Sequence, residues 1–175
     1  MRQLVYSVAS SLDGFIAGPK GEFDWIIQDP TIDFGEIFGQ FDTMVMGRHS
    51  YEAILGEGRS PMEFGMKIFV ASTTLDPAQH PDITIIGSGL AETVTELKHA
   101  SGKGIWLFGG GTTFRSLLEA GLVDRLEVSI IPVLLGGGIP LVPEGRRWPL
   151  QFKDSRTFPS GIVSLTYLIA SKPQL

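Results

Sequence analysis

Short apolar runs recur along the chain, separated by segments whose apolar positions fall three and four residues apart. The runs predict strands at 4–9, 43–46, 67–71, 83–86, 105–108 and 124–132. Residues 152–158 and 162–169 read as a closing antiparallel hairpin around Pro159-Ser160-Gly161. The helical spacing predicts helices over 32–41, 49–55, 90–99 and 113–120, the first presenting Ile37, Phe38 and Phe41. Gly121 stands where a left-handed helix cap belongs, with Leu122 as its apolar partner. Residues 15–30 carry no period and read as irregular. So does the stretch holding Gly136-Gly137-Gly138, Pro140, Pro143 and Pro149. Strands alternating with helices indicate an α/β fold: one mixed, mostly parallel sheet flanked by helices and finished by antiparallel strands. With no repeat or linker, a single domain over 1–175 is expected.

Composition narrows the chemistry. The chain is 43% hydrophobic and 19% charged, which describes a folded globular protein. It has no cysteine, so disulfide frameworks, thiolate metal sites and cysteine nucleophiles are excluded, and a cytoplasmic location is expected. The apolar start turns polar at Ser10 and Ser11, too soon for a signal peptide, and no run is long enough to span a membrane. A net charge of −5 without a basic cluster argues against nucleic acid. His49, His80 and His99 lack metal-ligand spacing, so no metal site is expected. No phosphate-loop motif and no serine elbow occur. Gly87-Ser88-Gly89 follows a strand but lacks the third glycine of a dinucleotide fingerprint, and reads as a turn.

Two strand-to-helix junctions carry the functional signal. In the first, Ile105-Trp106-Leu107-Phe108 runs into Gly109-Gly110-Gly111 and a helix opening at Thr112-Thr113. Residues without Cβ admit a ligand to the backbone, and the helix start offers unpaired N–H groups to a pyrophosphate. In the second, Met46-Gly47-Arg48-His49-Ser50 places an arginine at a strand end, where its fork can take a phosphate. Ser72-Thr73-Thr74, after the next strand, adds hydroxyls. A structural reading stands beside each: Arg48 can pair with Glu52 or Asp42, and Ser72 to Thr74 can cap a turn.

Taken in order, four segments resemble the dihydrofolate reductase-like superfamily, and more closely the RibD C-terminal domain family, the reductase domain of bacterial riboflavin biosynthesis. They are Ser11-Leu12-Asp13-Gly14-Phe15-Ile16-Ala17, Met46-Gly47-Arg48-His49-Ser50, Gly109-Gly110-Gly111 with the following Leu117-Leu118 and Gly121-Leu122-Val123-Asp124, and Ile131-Pro132-Val133-Leu134-Leu135-Gly136-Gly137-Gly138. The resemblance implies a three-layer α/β fold and a stand-alone NADPH-dependent reductase. It implies that Ala9, Ile16 and Ala17 line the nicotinamide pocket and that Arg48, Ser72 and Thr73 hold the 2′-phosphate. Gly47, His49 and Ser50 would meet the pyrophosphate from one side, and Gly109, Gly110, Gly111, Thr112 and Thr113 from the other. Asp13 is expected to bond amides in its own turn.

The substrate side is less defined. The carboxylate of the folate reductases aligns near Thr31, between Asp29 and Asp33, so it is displaced or absent. Asp33 is the candidate acid, with a helix-capping role as its alternative. Ser129 and Trp25 are candidate substrate contacts, and Phe23 a further candidate wall. The expected reaction is hydride transfer to a small carbonyl or imine substrate, a ribosylamino-pyrimidine phosphate among them. The alternatives are folate reduction or a non-catalytic NADP-binding module. A homodimer is expected from the resemblance and from the apolar stretch 126–133.

Overall fold

The computed structural model describes residues 1–170; the last five positions of the expected domain, 171–175, lie outside them. The strands are β1 (Leu4–Ser11), β2 (Phe15–Ala17), β3 (Phe41–Gly47), β4 (Lys67–Ala71), β5 (Thr84–Ile86), β6 (Gly104–Leu107), β7 (Arg125–Ile131), β8 (Ile139–Pro140), β9 (Leu150–Thr157) and β10 (Val163–Ile169). The α-helices are α1 (Phe34–Gly39), α2 (Arg48–Gly56), α3 (Leu90–His99) and α4 (Gly111–Glu119). The main sheet has the order β5-β4-β3-β6-β1-β7-β10-β9. It is parallel from β5 to β7 and antiparallel through β10 and β9. This is the mostly parallel sheet with a terminal hairpin that the pattern predicts.

Alternation along the strands gives the sheet two apolar faces and therefore three layers. On one face Leu4, Tyr6, Val45, Ile105 and Leu107 pack under Val94 of α3 and Phe114, Leu117 and Leu118 of α4. Tyr6 stacks on Phe114 at 4.0 Å between ring centroids. On the other face Val5, Met44, Met46, Ile68, Val70 and Trp106 pack under Tyr51 and Ile54 of α2, with Phe38 of α1 against them. A strand buried on both faces has little reason to alternate with polar residues, which is why the inner strands read as continuous apolar runs.

Several boundaries differ from expectation for physical reasons. The helix expected over 32–41 shrinks to α1, because Asp33 caps it and Phe41 leaves to pair with Gly104 of β6. Helices α2 and α4 begin earlier than expected, at Arg48 directly after β3 and at Gly111 three residues after β6. The irregular stretch after residue 15 contains β2, which pairs with β8 inside the glycine- and proline-rich loop. Neither is long enough for a periodic signal. Gly121 adopts φ 70°, and the N–H groups of Gly121 and Leu122 donate to the carbonyls of Leu118 and Leu117, as the cap at this position predicts. The stretch 126–133, expected to mark a dimer surface, lies mostly in β7, between β1 and β10.

Polar clasps close the N-terminal end of the parallel strands. Lys98 Nζ is buried and donates to Asp124 at 2.6 Å and to the Leu122 carbonyl at 2.7 Å. Arg2 pairs with Asp42 and also donates to Thr43 at 2.8 Å. The C-terminal end of the same strands carries the functional candidates.

Candidate active site

Strands β3 and β6 are neighbours, yet the helices that follow them leave in opposite directions. From β3 the chain crosses through α2 to β4, while from β6 it crosses through α4, past β1, to β7. The two helices pack on opposite faces of the sheet. Such a reversal leaves a crevice beyond the strand ends, the usual ligand position in open α/β sheets.

Both helix starts border that crevice, and they touch. A Cβ on Gly47 would lie 2.6 Å from Thr113 Oγ1, and one on Gly109 would lie 3.1 Å from Ser50 Oγ. Gly109 and Gly110 have φ of 61° and 77°, which a side chain disfavours. The cap residues of α2 and α4 are Gly47 and Gly110, and neither supplies a side-chain hydrogen bond to its helix. Two sets of orphan N–H groups, each at the positive end of a helix dipole, thus lie side by side. That arrangement suits a pyrophosphate.

Arg48 opens α2 and donates from Nη1 to Glu52 at 2.9 Å; His49 Nδ1 lies 3.5 Å from the same carboxylate, with its side chain 86% exposed. Ser72 follows β4, the next strand over, and its Oγ accepts from the N–H of Thr74 at 3.2 Å and of Leu75 at 3.1 Å; Thr73 is exposed. The structural readings of Arg48 and Ser72 are therefore realised. Both groups still stand at the adjoining ends of β3 and β4, where a phosphate could compete for them.

The loop after β1 is held over the same end of the sheet. Phe15 and Ala17 of β2 pair with Pro140 and Ile139 of β8, placing Ile16 and Ala17 on this flap. Gly138 abuts the Ala17 carbonyl, and Gly111 of α4 abuts the carbonyls of Pro140 and Leu141. Asp13 joins the flap to the glycine loop: it accepts from Ser11 Oγ at 2.6 Å, from the Leu135 N–H at 3.1 Å and from the Gly136 N–H at 2.7 Å. The amides it binds belong to the facing loop, a bridge the sequence reading places instead within its own turn. The Ser11 hydroxyl and the two amides hold its carboxyl below the usual carboxylate range.

The substrate-side candidates separate. Ala9 is half-buried on β1, in register with Ser129 on β7. Ser129 lies 2.8 Å from Ser164 on β10, hydroxyl to hydroxyl. Asp33 accepts the Glu36 N–H at 2.9 Å and serves as the N-cap of α1, its alternative role. Trp25 donates from Nε1 to the Glu22 carbonyl at 3.1 Å, within its own loop. Asp29, weighed in the sequence only as a displaced carboxylate, is 3% exposed and fully engaged. It accepts from the Ser160 N–H at 2.9 Å, the Thr31 N–H at 2.8 Å and Thr31 Oγ1 at 2.5 Å. Hydrogen bonds from Ser160 and Thr31 hold its carboxyl well below the usual carboxylate range. Asp29 thereby ties the irregular loop to the tip of the β9–β10 hairpin. Ser164 and Ser160 escaped the sequence reading because only the hairpin register brings them here. Among the described residues, no cluster of histidine or acidic side chains could hold a metal ion.

Comparison with known proteins gives one consistent group. Residues 2–164 match the model of the RibD C-terminal domain. The chain is 35% identical over 178 residues to the uncharacterized protein YyaP of Bacillus subtilis, covering 95% of this chain and 94% of that one. It is 28% identical to the uncharacterized protein YwjB of the same organism, covering 90% and 92%. A crystal structure from Shewanella sp. PV-4, assigned to riboflavin biosynthesis, superposes with a TM-score of 0.81 at 26% identity, over 97% of this chain and 99% of that one. The Thermotoga maritima diaminohydroxyphosphoribosylaminopyrimidine deaminase/5-amino-6-(5-phosphoribosylamino)uracil reductase shares the fold, with a TM-score of 0.72 at 15% identity. The match covers 97% of this chain and 57% of that longer one.

Proposed function

Because this chain belongs to the RibD C-terminal domain family, we propose that it is an NADPH-dependent reductase acting on a small carbonyl or imine substrate. A ribosylamino-pyrimidine phosphate, as in the name of the Thermotoga relative, is the first candidate. The observation that supports this reading most is the pair of helix starts in contact at the reversal between β3 and β6, neither capped by a side chain. NADPH would supply the hydride. The protein's own contribution is to hold and orient it and to exclude water.

In this reading the N–H groups of α2 and α4 receive the pyrophosphate, with Ser50, Thr112 and Thr113 beside them. Arg48 turns from Glu52 to the 2′-phosphate, an exchange that costs little because an exposed i,i+4 pair is worth only about 0.3–0.5 kcal/mol. Ser72 and Thr73 border the same phosphate from β4. Ala9, Ile16 and Ala17 would line the nicotinamide pocket, the last two on the flap that covers it. Asp29 and Asp33 are both committed to the chain itself, so neither is assigned the proton transfer. Folate reduction is disfavoured, since Thr31, at the position of the folate carboxylate, is itself a donor to Asp29. A reducing cytoplasm fits a chain without cysteine.

The test is a fluorescence titration with NADPH and NADH, combined with absorbance at 340 nm in the presence of candidate substrates. The wild type is expected to prefer NADPH, and Arg48→Ala to lose at least tenfold of that preference, about 1.4 kcal/mol for one charge-assisted partner. An unchanged preference removes Arg48 from the site. Binding without oxidation of NADPH by any of these substrates favours a non-catalytic module.

A further inference from the structure

The loop that carries β8 continues as a strap against α4, and contacts hold it at three points. At the helix start, a Cβ on Gly111 would lie 2.9 Å from the Pro140 carbonyl, and the Tyr6 hydroxyl donates to the Leu141 carbonyl at 3.3 Å. One turn on, the Arg115 side chain is 12% exposed; its Nε pairs with Glu119 at 2.9 Å, and its Nη1 donates to the Arg146 carbonyl at 3.4 Å. Arg146 in turn donates from Nη2 to the Glu119 carbonyl at 3.4 Å. At the end of the strap, Trp148 packs against the core, with the Arg146 guanidinium 4.6 Å from its ring centre. Gly145 lies directly on the Arg115 guanidinium, and a Cβ there would overlap it. Gly145 does not adopt a left-handed φ. It is the contact with Arg115, not the backbone conformation, that calls for a residue without Cβ.

We infer that Arg115 is a positioning residue for the cofactor: by seating the strap on α4, it sets the β2 flap over the nicotinamide. The path from one to the other is short. The Leu141 N–H donates to the Gly14 carbonyl at 2.9 Å and β8 pairs with β2, so the flap bearing Ile16 and Ala17 follows the strap. Between Leu141 and Trp148, among the described residues, the strap's only hydrogen bonds are the two that Arg146 makes with Arg115 and Glu119. Val142, Glu144 and Arg147 are exposed. A segment with so few bonds opens readily once its anchor is lost. Arg115 Nη2, pressed under Gly145, is buried without a partner, a cost that calls for a reason; seating the strap supplies one. In the reading above, the start of α4 also meets the pyrophosphate. One helix thus holds the cofactor at its first turn and the support of the flap at its second. The inference rests on the reductase reading, and it adds Arg115 and Gly145 to it.

The experiment titrates the full chain calorimetrically with NADPH and with 2′-phospho-ADP-ribose, the same molecule without its nicotinamide. The wild type is expected to bind NADPH at least tenfold more tightly, because only NADPH reaches the flap. Arg115→Ala should reduce that ratio to within twofold while leaving affinity for the fragment unchanged. Gly145→Ala keeps the arginine but displaces either it or the strap, and should have the same effect; the double variant should lose no more than either alone. Circular dichroism checks that each variant is folded. Amide hydrogen exchange without ligand reads the strap itself: Leu141 should exchange at least tenfold faster in Arg115→Ala, and the amides of β10 at an unchanged rate. Equal binding of the two ligands by the wild type, equal weakening of both in a variant, a ratio that survives either substitution, or unchanged exchange at Leu141 overturns the inference while leaving the cofactor reading standing. A wild type that binds neither ligand refutes the reductase reading first, and the positioning role with it.

Discussion

Asp29 and Arg48 show how single residues divide between holding the fold and serving the site. Asp29 is ionised, buried and saturated with donors from Thr31 and Ser160, so its charge fastens one loop to one hairpin tip. Its carboxyl is held below the ordinary range, so its contribution to stability is present above the unfolded value near 4 and is lost as the pH falls through the folded one. Asp29→Asn should therefore lower the melting temperature by several degrees at pH 7, and by progressively less as the pH drops below 4. Thermal melts of both proteins across that range check this; a constant difference at all pH values contradicts it. Arg48 is the converse case, half-exposed and in an ion pair weak enough to exchange. The sequence offered Arg48 with two readings and Asp29 only as a displaced carboxylate. It could not show the clasp at Asp29 because Ser160 is more than a hundred residues away along the chain, whereas Glu52, the partner of Arg48, is local and was named beforehand.

At the scale of elements, the site depends on α2 following β3 directly and α4 following the adjacent β6 after only three residues. Gly47 permits that closeness, because any Cβ there meets Thr113 Oγ1 at 2.6 Å. Gly47→Ala should cost about 1–3 kcal/mol in urea unfolding, the usual penalty for overpacking, and Thr113→Ala should relieve most of it in the double variant. Additive costs would mean that the two helix starts are not in contact. The glycine junction and the strand ends were legible in the sequence, since each has a strong local signature. The pairing of β2 with β8 was not. Elements of two or three residues carry no period, and their partners are set by loops more than a hundred residues apart. The helix overcalled at 32–41 fails for a related reason. Phe41 has the spacing of a helix face but gains more by joining the sheet.

For the whole molecule, the hairpin is the least finished part. One face of it carries Leu150, Phe152, Val163, Leu165, Tyr167 and Ile169, and none of them is fully buried; Phe152 is 57% exposed. A strand that alternates apolar with polar residues is built to cover its apolar side. We expect a second copy of the chain to cover it, and Phe152→Asp should halve the mass seen by light scattering if it does. A monomeric wild type contradicts that expectation. The parallel sheet, by contrast, is clasped at one end by Lys98–Asp124 and Arg2–Asp42, while at the other the helix starts converge beside the β2–β8 flap. The claim that two helix starts jointly hold the pyrophosphate of NADPH is tested most directly by backbone amide NMR during a titration with the cofactor. The account predicts that the amides of residues 47–50 and 110–113 shift together with a single affinity, while those of 87–90 do not. Shifts confined to one of the two helix starts, or to neither, would contradict it.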